Sequence, residues 1–147
     1  MSSEARTPRT RDGLSLPHLI KWAEMAVRAR VDAALRDMPI SSGQLFALVL
    51  LHEQGEATSA ELARLMHVTP QSMTTLLGPM RRDGLIERRI DQAHRSRQPL
   101  RLTAYGRTII AQARQRTPRV EADLLDDVSD ADRAVLDRIL TRIARPA

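Results

Sequence analysis

The stretch "PQSMTTLLGPMRR", Pro70 to Arg82, sets apolar side chains at 73, 76, 77 and 80, the spacing of one helical face. At about 100° per residue, the opposite face collects Gln71, Thr75, Gly78 and Arg82, with Ser72 and Thr74 on its flanks. A solvated helix ordinarily spreads Glu and Lys over such a face. This one is short, uncharged and hydrogen-bonding at its start and carries arginines at its end. A Gln amide donates and accepts in one plane, as an adenine edge requires. A Thr offers a hydroxyl for a base edge or a methyl for thymine, and an Arg reaches guanine or phosphate. Thr69 caps the helix and Pro70 fills its first position, so the remaining free N–H groups of the first turn favour an anion.

The flanking elements must hold that face outward. "LPHLIKWAEMAVRARVDAALRDM" has helical apolar spacing and ends before Pro39, giving a first helix over about 16–38. Ser41 with Gln44 and Thr58 with Glu61 read as capping boxes that open a second helix, "GQLFALVLLHEQ", and a third, "SAELARLMH". The second is apolar almost all round and therefore central. His67 and Val68 make a short turn into the fourth helix, which Gly84 stops. A strand near 85–90, a basic loop at 91–99 and a return strand near 100–103 form a hairpin. Its arginines are Arg95, Arg97 and Arg101, of which Arg95 at the tip is best placed to enter a minor groove. Thr103 caps a fifth helix, "AYGRTIIAQARQRTPRVEADLLDDV", which Pro118 must kink or interrupt. Ser129 with Asp132 starts a sixth, "DADRAVLDRILTRIA", with an apolar stripe. The expected fold is mainly α with a small β-hairpin wing: a winged helix-turn-helix over about 41–103, embedded in a single domain 16–147 after a flexible arm 1–15. Long helices at 16–38 and 104–145 lie at opposite ends of the chain, where a second copy is the simplest thing for them to pack against.

Charge agrees with a polyanion partner. The net charge is +5, and residues 58–103 hold 8 basic and 4 acidic side chains, whereas 1–57 hold 7 and 7 and 104–147 hold 8 and 7. Four of the five excess positive charges therefore fall in the segment that carries the helix-turn-helix and wing. The chain has no cysteine, which excludes disulfides, thiolate metal sites and a cysteine redox switch. No apolar run approaches the roughly 18 residues of a membrane span, and the polar, Arg-containing start is unlike a signal peptide, so the expected location is the cytoplasm, with no membrane partner.

"TSAELARLMHVTPQSMTTLLGPMRRDGLIERR", followed by an aspartate, an arginine and "LTAYG", closely resembles the MarR family of bacterial transcriptional regulators, in motif terms from about Ser41 to Gly106. The resemblance implies a homodimer whose first and last helices intertwine and whose two winged domains bind a pseudo-palindromic double-stranded DNA operator. Two-fold symmetry would put the recognition helices in major grooves roughly 34 to 36 Å apart. It also implies a small-molecule effector, held between the dimerisation helices and the DNA-binding lobe, that favours a dimer with the wrong half-site spacing. Gln71, Ser72 and Thr75 fall on the family's base-reading surface and Arg95 on its wing arginine. With Thr69, Thr74, Arg82 and Arg97 they make the expected DNA-binding set. Two positions depart from the family pattern: His94 stands where an aspartate usually precedes the wing arginine, and Gly78-Pro79 falls late in the fourth helix, where a bend or early end is expected.

His18, Trp22 and Met25 on the first helix are candidates to line an effector pocket for an aromatic or phenolic ligand, with a core role for Trp22 as the competing reading. No two histidines share an i, i+3 or i, i+4 spacing, so no metal site is expected. There is no nucleophile motif, Gly-rich phosphate loop or HExxH. Neither an enzyme nor a cofactor is expected. A repressor is the expected role, and the competitor from another class is a winged-helix interaction scaffold that does not read DNA.

Overall fold

The structure is a computed structural model that describes residues 15–90, 92–93 and 96–145. Its elements are α1 (Ser15–Ala34), α2 (Ser42–Gln54), α3 (Ser59–Leu65), α4 (Pro70–Arg82), β1 (Ile86–Arg88), β2 (Leu100–Leu102), α5 (Ala104–Arg114), α6 (Thr117–Leu124) and α7 (Asp130–Ala144). This is the mainly helical, winged helix-turn-helix architecture expected from the sequence, with one helix more.

The starts follow the caps. Ser41 Oγ accepts from Gln44 N at 3.2 Å while Gln44 Oε1 accepts from Ser41 N at 3.0 Å. Thr58 Oγ1 accepts from Glu61 N at 3.2 Å and Glu61 Oε2 accepts from Thr58 N at 2.7 Å. Thr103 and Ser129 cap α5 and α7 in the simpler way, each accepting from the backbone N–H three residues on.

The ends are less literal. The first helix stops at Ala34, a turn before Pro39, because tighter bonds from Arg36 N to Ala33 O and from Met38 N to Leu35 O swing Leu35, Met38 and Ile40 into the core. The expected fifth helix is two helices, α5 and α6. They part at Gln115 and Arg116, just ahead of Pro118, which sits in the first turn of α6, where its missing N–H has no intrahelical acceptor to lose. α4 corrects the expectation in the other direction, since it does not end early but runs through Pro79 to Arg82. Gly78 lowers the cost: the residue before a proline is disfavoured in the helical region partly by a clash between its Cβ and the proline ring, and Gly78 has no Cβ. Met80 and Leu77, both buried, hold the last turn down.

One apolar core joins Leu35, Met38 and Ile40 to Leu48 and Leu51 of α2, Leu62 of α3, Met73, Leu77 and Met80 of α4, the hairpin's Ile86, Leu100 and Leu102, and Ile109 and Ile110 of α5. α1, α6 and α7 contribute no buried residue. The molecule is thus a packed head with helical arms. Val135, Leu136, Ile139, Leu140 and Ile143 of α7 and Leu16 and Ile20 of α1 keep their apolar side chains in solvent. The arms are tied by ions, Arg116 to Asp37 and Arg133 to Glu121. At the far end of α7, Ala144 O lies 3.2 Å from His67 Nε2 in the turn before α4.

Candidate nucleic-acid interface

The turn between α3 and α4 aims the candidate face. His67 has a left-handed backbone, φ 53°. Val68 N bonds Ala63 O at 3.0 Å and His67 N bonds Arg64 O at 3.2 Å, the paired bonds that close a helix and redirect the chain. Val68 then leads directly to Thr69, whose Oγ1 accepts from Ser72 N at 3.1 Å and donates to Ser72 Oγ at 2.9 Å. Met73 and Met80 are fully buried and Leu77 nearly so, which fixes the roll of α4 about its axis.

With the roll fixed, Thr69, Gln71, Ser72, Thr74, Thr75 and Arg82 are all exposed, as the helical spacing requires. The hydroxyls are not equivalent to free alcohols. Thr74 Oγ1 donates to Pro70 O at 3.0 Å and Thr75 Oγ1 to Gln71 O at 3.1 Å. Each therefore turns lone pairs and a methyl group, and no proton, toward an incoming surface. Gln71 keeps its full donor and acceptor pair.

Beyond Gly78, the exposed end of α4 meets the hairpin across an open cleft of about 480 Å³ lined by Gly78, Arg81, Arg82, Ile86, Glu87 and Arg88. Arg88 was not among the residues expected from the sequence. The available signal was its position two residues after buried Ile86 on a strand of only three residues, which the broader strand estimate blurred. Arg101, across the hairpin, is paired with Glu87 at 2.9 Å, and Arg88 donates to Gln98 Oε1 at 2.8 Å.

The wing expectations divide. Arg95 and His94 lie outside the described residues. Arg97 is described and lies between Glu56 and Glu61, at 3.5 Å from each. Arg89 forks onto the same Glu56, Nε to Oε2 at 2.7 Å and Nη2 to Oε1 at 3.0 Å. The Arg89 guanidinium, bonded to Glu56, and Arg97 beside it hold this carboxyl below the usual range. For Glu61 the leading cause is the Thr58 backbone N–H, with Arg97 adding to it.

A depressed carboxyl pKa contributes stability above its unfolded value, and that contribution is lost as pH falls through the lowered folded value. Glu61→Gln keeps the capping geometry but not the titration. It should flatten the acid limb of the stability curve, measured by thermal unfolding between about pH 3 and 7; an unchanged acid limb would refute it.

His18, Trp22 and Met25 share one exposed face of α1. With about half of its surface open, Trp22 is not core within one chain. Among the described residues there is no group of three or more His, Asp or Glu side chains able to hold a metal, and no helix long and apolar enough to cross a membrane.

Comparison with known proteins agrees with this geometry. Residues 40–95, from just ahead of α2 to the segment between β1 and β2, match the MarR family. A helix-turn-helix-type transcriptional repressor of Mycobacterium tuberculosis is 27% identical over 132 residues, 90% of this chain and 95% of that protein. A MarR-family transcriptional regulator from Rhodococcus sp. RHA1 superposes with a TM-score of 0.82 at 21% identity, covering 93% of this chain and all of the other. A mutant MarR from E. coli complexed with operator DNA superposes at 0.79 and 20% identity, covering 87% and 92%. The helix-turn-helix and the hairpin wing thus fall on the segment that matches the MarR family, and over most of its length the chain is similar to a transcriptional repressor.

Proposed function

We propose that this chain is a homodimeric, sequence-specific repressor that leaves a pseudo-palindromic operator when a small molecule binds, and that it works in the cytoplasm. The observation that carries the reading is the exposed face of α4. Gln71, Ser72, Thr74 and Thr75 sit beside the helix N-terminus, with Arg81 and Arg82 at the other end. That order puts base-reading groups first and cations for the flanking phosphates after them. The repressor related to this chain and the operator-bound neighbour support the same assignment.

Fluorescence anisotropy on the DNA beside its own gene, titrated with salt and random competitor, tests it. Log affinity should fall steeply with log salt, and random DNA should compete poorly. Equal competition by random DNA would leave only a basic surface and bring the interaction-scaffold reading forward. Gln71→Ala and Thr75→Ala should each relax the base preference by about 1 to 3 kcal/mol at one position of each half-site. A selection profile identical to wild type would remove α4 from the reading role.

The effector reading places an aromatic or phenolic ligand near His18, Trp22 and Met25. Saturable quenching of Trp22, the only tryptophan, by a panel of phenolic acids would support it, and a flat titration would leave these residues to the dimer interface.

A further inference from the structure

The flanks of the wing are fastened beside the helix-turn-helix at two carboxylates, Glu56 and Glu61. Arg89 lies just past β1 and Arg97 just ahead of β2, so the two flanks of the hairpin tip converge on Glu56. Glu56 is itself fixed, because the next residue, Ala57, exchanges two backbone bonds with Leu100 of β2, at 3.0 and 2.8 Å. Glu61 is fixed as well, one oxygen being held by Thr58 N while the other faces Arg97. The anchors are therefore rigid carboxylates on the α3 side, and the arginines come to them. An arginine poised for phosphate would present its guanidinium to solvent, whereas Arg97 presents its own to two carboxylates.

Resting on the DNA-binding reading above, we propose that Glu56 and Glu61 are positioning residues that hold the wing in its DNA-docking orientation, and that Arg97 serves this clamp and does not contact DNA. The arrangement carries a sign that simple electrostatics does not. Removing a carboxylate near a polyanion site ought to tighten binding. Removing a clamp loosens it.

The test uses the full-length chain and the duplex that the wild-type protein itself enriches from a random pool. Affinities are measured over a salt series for wild type, Glu56→Gln, Arg97→Gln and the double variant, with circular dichroism melts to establish folding. Glu56→Gln should bind about tenfold more weakly despite its added net positive charge, Arg97→Gln should lose a similar factor, and the double variant should be no weaker than the weaker single, the non-additivity of contacting partners. Glu61→Gln, which keeps the helix cap, should fall in the same direction.

Tighter or unchanged binding by Glu56→Gln would overturn the proposal. So would additive losses in which Arg97→Gln lowers the salt slope by about 0.9, the signature of one lost phosphate contact. A wild-type chain that enriches no sequence would instead remove the DNA-binding reading and the inference with it, an outcome distinct from either.

Discussion

A chain carrying Leu136→Glu and Ile139→Glu is expected to be folded, monomeric and unable to hold its operator. Leu136 and Ile139 lie in the stripe of α7 with Val135, Leu140 and Ile143, each between 38% and 52% exposed within one chain. α7 buries no residue of its own, so the substitutions leave the core of the head untouched. What they remove is a surface that one chain leaves uncovered. An apolar stripe of this kind, with Leu16 and Ile20 of α1 also exposed, marks a surface that packs against another apolar surface. A two-fold partner supplies the same stripe in return.

The consequence for DNA is larger than for folding. A dimer binds its second half-site as an intramolecular event, and losing that advantage costs about 10²- to 10⁴-fold in affinity without altering a single contact of α4. Sedimentation should report the monomer and anisotropy the lost affinity, with the salt slope falling toward half its wild-type value. A double variant that stays dimeric and binds normally would place the self-association surface elsewhere.

What the sequence disclosed about this molecule is tied to local rules. Ser41, Thr58, Thr69, Thr103 and Ser129 each announce a helix start, because a hydroxyl that can satisfy a free N–H works without help from the rest of the chain. The α4 face was legible for the same kind of reason, since the buried set Met73, Leu77 and Met80 dictates what must point away. Arg97 was not legible. Its partners Glu56 and Glu61 are more than thirty residues away along the chain, and a basic loop reads alike whether its cations face phosphates or carboxylates. Of the bend or early end expected at Gly78-Pro79, the early end does not occur, because burial of Leu77 and Met80 on either side of the pair holds the last turn in place. The break between α5 and α6 is the kink or interruption that Pro118 predicts, and it falls at Gln115 and Arg116, just ahead of that proline.

The motif "LTAYG" carries part of the family resemblance, yet its Leu102, Thr103 and Gly106 are structural, and this glycine should tolerate no side chain at all. Leu102 is in the core, and Thr103 accepts from Gly106 N at 3.0 Å to start α5. A Cβ on Gly106 would lie 2.1 Å from Leu85 O, well inside contact distance and against backbone. That carbonyl cannot retreat freely, because it accepts from both Thr103 N and Thr103 Oγ1 at 3.1 Å, and Leu85 N is itself bonded to Met80 O at 2.9 Å where α4 ends. Relief would have to move α5 off the junction between α4 and β1. Gly106→Ala is therefore expected to cost about 3 kcal/mol or more, beyond the ordinary range for an added methyl in a packed site. Gly43→Ala is the matched control: its Cβ would meet Leu76 Cδ1 at an ordinary 3.6 Å in α2, so it should be neutral or stabilising by up to about 1 kcal/mol. Urea unfolding of the two variants measures both, and equal stability of Gly106→Ala and wild type would mean that α5 is not seated on the Leu85 carbonyl.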